Sequence, residues 1–281
     1  EMGSTFKTFT IAMGLDSGLF HMGDRIDATR PMTIGGFTIH DFHATRRVLT
    51  IPEVFTHSSN IGSAKMADAV GIDGHKEFLT RLGLLSRMQT ELPEVATPSQ
   101  PREWKKINSM TIAFGHGVAT TPLQTAVAGA ALMNGGKLIE PTFLPRTREE
   151  AERTAVQVIS EKTSQEMRVL MRDNVVEGSG RRAEVDGFRV GGKTGTAEKV
   201  VNGRYSNSVR FNAFLATFPV DDPQYIVLVI IDEPKPEEGK HSATAGLNAA
   251  PMVNGIIRRS AAFLGVEPKF GNDAAIARLS Y

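Results

Sequence analysis

Gly187-Phe188-Arg189-Val190-Gly191-Gly192-Lys193-Thr194-Gly195-Thr196-Ala197 admits two opposed readings, and the choice between them decides the fold. The first is a phosphate-binding loop of a P-loop nucleotidase. The segment satisfies G-x-x-x-x-G-K-[ST], and Ile226 to Asp232-Glu233 imitates an apolar strand ending in magnesium-holding acids. Such a loop needs a helix to begin at the lysine, so that its N-terminal N–H groups surround the phosphate. Here Gly195 follows at once and Asn202-Gly203 signals a tight hairpin, so the stretch reads as β-strand. Working outward, residues 189–200, 208–219 and 224–232 are β-rich, and Asp221-Asp222-Pro223 joins the last two. Connections this short predict an antiparallel three-stranded meander.

The part before the meander has the longer, helical period. Gly3 to Met13 reads as a helix with Phe6, Phe9 and Met13 on one face, Gly14 as its stop and Ser4 in its first turn. A mixed stretch with Gly35-Gly36 runs to about Thr50. Helical blocks follow from Pro52 to about Ser58 and from about Ile61 to Val70. Pro93 to Pro101 reads as an exposed loop. Thr121-Pro122 opens a small-residue helix over Leu123 to Met133 that Asn134-Gly135-Gly136 stops, and another runs from about Glu161 to Val176. Leu247 to Leu264 closes the chain, with a distortion expected at Pro251. Helices, then strands, then a closing helix predict the α/β (α+β) class: an antiparallel sheet flanked by helices in one mixed domain over residues 1–281.

Composition narrows the function. The chain has 281 residues, 41% of them hydrophobic, enough for a sizeable core. Lys+Arg of 32 against Asp+Glu of 31 leaves +1, which argues against nucleic acid or an anionic membrane surface as the main partner. Arg181-Arg182 and Arg258-Arg259 read as solvated faces. Cysteine is absent, which excludes disulfides, thiolate zinc sites and a cysteine nucleophile. Tyr225 to Ile231 has the length of a buried strand, and no apolar run is long enough to span a membrane. The chain opens at Glu1 without the regions of a signal peptide, so an upstream targeting or anchoring segment is expected to have been removed. His57, His116 and His241 lack ligand spacing and read as packing or hydrogen-bonding residues; Met110 and Met133 read as core. Trp104, beside the Pro-rich loop, reads equally as a groove wall or as packing.

Three motifs carry chemistry. In Ser4-Thr5-Phe6-Lys7 the i, i+3 spacing brings an amine to a hydroxyl on one helix face. Serine needs a base to become a nucleophile, and a lysine serves only when partly neutral, which burial or a second cation would favour. Ser58-Ser59-Asn60 lies in the break between two helical blocks. It reads either as a cap for the helix beginning near Ile61 or as hydroxyl and amide aimed into a cleft, with Ser58 relaying a proton and Asn60 holding Lys7 or a substrate amide. Gly191 to Ala197 forms a small, hydroxylated, cationic strand edge suited to an extended peptide ending in a carboxylate, or a bulge with a solvent lysine.

Together, Ser-x-x-Lys, Ser-x-Asn and Lys-Thr-Gly in this order resemble the signature of penicillin-binding proteins and serine β-lactamases. The forms Gly3-Ser4-Thr5-Phe6-Lys7, Lys193-Thr-Gly-Thr-Ala-Glu-Lys199 and Phe114-Gly-His-Gly117 before Thr-Pro-Leu-Gln resemble a class B, division-type transpeptidase over nearly the whole chain. The resemblance implies that Ser4 attacks the penultimate D-Ala carbonyl of a peptidoglycan stem peptide, or a β-lactam, while Lys7 takes its proton and Ser58 and Asn60 complete the network. Lys193 would depress the Lys7 pKa and draw in the substrate carboxylate, and Thr194, Gly195 and Thr196 would line the substrate strand. The N–H groups of Ser4 and Thr196 would form the oxyanion hole. It implies no metal or organic cofactor, cell-division or elongation membrane proteins as partners, and a periplasmic or extracytoplasmic location through an anchor absent from this chain.

The sequence departs from the family in two places. Met2 stands where the family usually has proline, and the upstream helix and strands, non-catalytic domain and anchor are missing, which predicts an unpaired sheet edge. Within the same fold, a class A β-lactamase would need a water-activating glutamate, for which Glu91, Glu94 and Glu103 are only nominal candidates. A β-lactam sensor would acylate without turnover. A catalytically inert relative is disfavoured by the intact motif residues.

Overall fold

A computed structural model describes residues 1–201, 204–236 and 243–271. In chain order, a 3-10 turn over Gly3–Phe6 leads into α1 (Lys7–Asp16) and then short strands β1 (Arg25–Asp27), β2 (Met32–Ile34), β3 (Phe37–Ile39) and β4 (Val48–Thr50). Helices α2 (Ile51–Thr56), α3 (Asn60–Arg81), α4 (Lys106–Ile112) and α5 (Pro122–Met133) follow. Next come β5 (Lys137–Leu138), α6 (Arg148–Thr154), β6 (Val156–Gln157) and α7 (Glu161–Val176). The chain continues through a 3-10 turn, Arg181–Ala183, into β7 (Gly191–Val201), β8 (Arg204–Phe218) and β9 (Tyr225–Asp232), and then α8 (Ala249–Ser260).

The meander expected from the sequence is present, in the order β7-β8-β9 and antiparallel throughout. Thr194 faces Phe214 across the first pair and Phe211 faces Asp232 across the second. Strand β8 starts at Arg204, ahead of the expected 208, and pairs with Val201 around Asn202-Gly203, which lies outside the described residues. Alternate side chains of β8 enter opposite cores, as strand geometry requires. Ala213 and Leu215 join the large core formed with α1, α3, α5 and α7. Phe214, Ala216 and Phe218 join a smaller core beneath α8 with Val253 and Ile257. Among the described residues neither β7 nor β9 has a second neighbour, so both edges of the sheet are unpaired.

Several helix ends differ from the sequence reading for identifiable reasons. The first helix runs through Gly14 to Asp16, because Gly14 is where Met66 packs against the helix; the left-handed stop is Gly18. The block expected to end at Val70 pauses at Gly71, which has non-helical dihedrals, and resumes to Arg81. Pro251 causes no distortion, since it lies in the first turn of α8, where an N–H has no partner within the helix. Helices α4 and α6 were not expected, although Thr147 and Glu150 form a capping box for α6. Trp104 is 9% exposed and meets His75 edge-on, so packing is its role. Met110 and Met133 are core, and both arginine pairs are exposed. Among the described residues no helix is long and apolar enough to cross a membrane.

Candidate active site

The turn that carries Ser4 is wedged between two backbones. Thr5 Oγ1 donates to the Met2 carbonyl at 2.7 Å, tightening the turn. On one side lies Gly195, where any Cβ would sit 2.5 Å from the Met2 oxygen. On the other lies Gly115, at φ +93°, where a Cβ would sit 2.0 Å from the Gly3 oxygen. Thr10 Oγ1 donates to the Ala113 carbonyl at 2.7 Å, fixing α1 to the same loop. Only glycine permits such approach at these two positions.

Within α1 the Lys7 amine lies 2.8 Å from Ser4 Oγ, 3.0 Å from Ser58 Oγ and 2.7 Å from the Ser58 carbonyl. Lys193 Nζ approaches the same Ser58 Oγ at 3.0 Å and lies 5.5 Å from the centre of the Phe55 ring. Ser58 is therefore the junction of two lysines. Its φ of +56° is unfavourable for a non-glycine residue, and the tight turn after α2 holds it there. Lys7 is 1% and Lys193 0% exposed. Burial, then the Lys193 charge, holds the Lys7 amine far below the ordinary lysine range, and Asp41 pulls weakly the other way. Burial lowers Lys193 from 10.5 to about 7. Burial and the second amine both push Lys7 toward its neutral form, the form that a base for Ser4 requires.

The Ser58-Ser59-Asn60 triplet serves two purposes at once. Ser59 is the cap of α3, its Oγ accepting from Gly62 N at 2.9 Å, and this frees Ser58 to face the lysines. Asn60 does not reach Lys7 as the sequence reading allowed; its Nδ2 donates to the His40 carbonyl at 2.9 Å. The neighbouring Asp41 accepts from Ser59 Oγ and, at 2.9 Å, from Ile61 N. The segment after β3 thus anchors the triplet. Nothing in the sequence distinguished His40 or Asp41 from other polar loop residues.

On β7, Lys193 is wholly buried rather than a solvent lysine. Thr194 is 8% exposed and pairs with Ser179 at 2.5 Å; Thr196 Oγ1 accepts from Ala245 N at 3.2 Å. Asn174, fully buried at the end of α7, donates to the Gly192 carbonyl at 2.7 Å and steadies the strand from behind. His116 packs edge-on between Phe114 and Tyr205, and His57 lies beside Arg47, so both keep the packing or bonding roles expected. His241 lies outside the described residues. Glu1 ties this region together, accepting from Gly117 N at 2.9 Å and from the Tyr205 hydroxyl at 3.1 Å. Glu91 is held by Thr142 and Phe143 N, and Glu103 lies near Lys105, so neither is bound to the serine–lysine cluster. Among the described residues no group of His, Asp and Glu could hold a metal ion.

A stability test follows from the buried lysines. A drop from 10.5 to about 7 corresponds to roughly 4–5 kcal/mol opposing the charged folded form. The unfolded lysine stays protonated up to its ordinary pKa. This cost is therefore complete below pH 7 and vanishes as pH rises through the window from about 7 to 10.5. Lys193→Met should raise the unfolding free energy at pH 6 by about 1–3 kcal/mol, the gain being reduced by the lost bond to Ser58. Urea unfolding at pH 6 and pH 9.5 checks this: the advantage of the variant should shrink at the higher pH.

The mixed fold thus carries Ser4 on the 3-10 turn ahead of α1, a buried lysine bonded to it and a Lys-Thr-Gly strand alongside. The penicillin binding protein transpeptidase domain model matches residues 1–258, and the chain belongs to that family. It is 45% identical over 282 residues to the probable peptidoglycan D,D-transpeptidase FtsI of Caulobacter vibrioides, covering 96% of this chain and 47% of that protein. The chain therefore spans about half the length of this curated relative. The solved TP domain of penicillin-binding protein 3 from Burkholderia pseudomallei superposes with a TM-score of 0.88 at 28% identity, covering 96% of this chain and 81% of that one. A mycobacterial penicillin-binding protein 3 complexed with aztreonam superposes at 0.84 and 25% identity, covering 97% of this chain and 64% of that one.

Proposed function

We propose that this chain is the catalytic domain of a peptidoglycan D,D-transpeptidase that cross-links stem peptides through an acyl-enzyme on Ser4. The observation that carries the reading is the buried Lys7 amine, 2.8 Å from Ser4 Oγ and sharing Ser58 with a second buried lysine. Neutral Lys7 takes the Ser4 proton as Oγ attacks the penultimate D-Ala carbonyl, and the N–H groups of Ser4 and Thr196 receive the oxyanion. The proton passes by way of Ser58 to the nitrogen of the departing D-Ala. A second strand's amine then attacks the acyl-enzyme and forms the cross-link, its surplus proton passing by way of Lys7 to the departing Ser4 Oγ. Thr194 and Thr196 hold the terminal carboxylate, the buried Lys193 draws it in by charge, and Gly195 lets the strand lie against the nucleophile's turn. Asn60 serves as a polar wall whose place is set by His40.

The same reading extends to the whole protein. The upstream part would supply a helix and strands for the free edge of β9, a non-catalytic domain and a membrane anchor. The enzyme would work on the periplasmic or extracytoplasmic face with division or elongation membrane proteins. A serine β-lactamase of the same fold is disfavoured because Glu91 and Glu103, two of the three nominal glutamates, have partners elsewhere.

The direct test is intact mass after incubation with benzylpenicillin. Ring opening releases no fragment, so the protein should gain the full mass of the drug, on the peptide containing Ser4, and lose it slowly. Rapid loss with hydrolysed drug in solution would indicate a β-lactamase instead. No adduct on a chain with a folded circular-dichroism spectrum would sink the assignment of Ser4.

A further inference from the structure

We propose that Ser179 is a positioning residue for the substrate carboxylate, acting through Thr194; the proposal rests on the carboxylate-binding role given above to β7. The geometry begins with Asn174, whose Nδ2 donates to the Gly192 carbonyl at 2.7 Å. That bond fixes the amide orientation and leaves Oδ1 facing Ser179, from which it accepts the backbone N–H and the hydroxyl, both at 3.3 Å. Ser179 Oγ in turn lies 2.5 Å from Thr194 Oγ1.

Two hydroxyls joined by one bond can place their protons in two ways. In the first, Ser179 donates to Asn174 and Thr194 donates to Ser179, so Thr194 has no proton left for a ligand. In the second, Ser179 donates to Thr194, and Thr194 turns its own proton outward. Asn174 Oδ1 keeps the Ser179 N–H in either case, so the reversal strands no buried acceptor. A carboxylate beside β7 favours the second arrangement, because a donor chain ending on an anion is charge-assisted and each bond strengthens the next. Thr196 needs no such device: its Oγ1 already accepts from Ala245 N, leaving its proton free. Ser179 therefore adapts Thr194 between the empty and the occupied site. It is exposed as a residue, so its hydroxyl can be removed without opening a cavity.

The experiment compares the second-order acylation of Ser4 by benzylpenicillin and by its methyl ester, which lacks the anionic carboxylate. Wild type should prefer the acid. Ser179→Ala should lower the acid-to-ester rate ratio by about tenfold, and Ser179→Thr, which keeps the hydroxyl, should restore it. A merely structural role for Ser179 would slow both compounds and leave the ratio unchanged, which would overturn the proposal. An unchanged acid rate in Ser179→Ala would overturn it too, by showing that solvent replaces the hydroxyl. If wild type itself fails to discriminate, the carboxylate-binding role of β7 fails before any substitution is made, and the two failures are distinguished.

Discussion

Ser4→Ala protein should take up no benzylpenicillin, and Lys7→Ala protein should take it up roughly 10³–10⁴ times more slowly than wild type, the upper part of the range for loss of a general base. The effect is large because Lys7 is the side chain bonded to Ser4 Oγ among the described contacts, and Lys193 reaches the serine only by way of Ser58. Lys7→Arg separates charge from basicity. The guanidinium has similar reach but stays protonated and cannot take the Ser4 proton, so it should rescue little of the rate. Initial rates of adduct formation by mass spectrometry, with circular dichroism on each variant, supply the check. A Lys7→Ala rate within tenfold of wild type would assign the base to another group.

Gly115→Ala should cost more than about 4 kcal/mol of stability and nearly abolish acylation, although the residue has no side chain to react. Its Cβ would lie 2.0 Å from the Gly3 oxygen and 2.5 Å from the Gly3 carbonyl carbon, and backbone on both sides leaves no side chain to yield. Either the loop after α4 or the nucleophile's turn must move. For a chain of this size the melting temperature should drop by about 10 °C. Gly35→Ala is the internal control. Gly35 also has a positive φ, +56°, but a Cβ there meets nothing within 4 Å, so only the backbone cost of about 1–2 kcal/mol applies. Similar melting temperatures for the two variants would contradict the contact argument.

The strands and their order were legible because short connections leave an antiparallel meander little freedom, and Gly195 rules out a helix starting at Lys193. Ser4, Lys7, Ser58 and Lys193 were legible as motif members, and the fold gathers them, Lys7 bonding Ser4 and Ser58 while Lys193 bonds Ser58. What the sequence hid is the support behind them. Asn174 is one polar residue among many on α7, and only the fold turns it toward the Gly192 carbonyl. Asp41 and His40 lie in a loop with no regular period, and their link to Ser59 and Asn60 depends on where β3 ends. The Asn60 bond to His40 rather than to Lys7 has the same cause: a motif fixes spacing along the chain, while the direction of an amide is set by whichever carbonyl comes near.

The nucleophile's surroundings come from distant parts of the chain. Lys7 meets Ser58 across 51 positions, Thr10 meets Ala113 across 103, and Ser58 meets Lys193 across 135. Loop closure over such separations is slow and comes late in folding. A chain still emerging from synthesis, or held partly folded, therefore carries Ser4 as an ordinary unreactive alcohol. On the proposed mechanism reactivity would switch on only when the last strands have docked, so the rate at which a refolding sample becomes able to take up penicillin should be a clock for the completion of the fold.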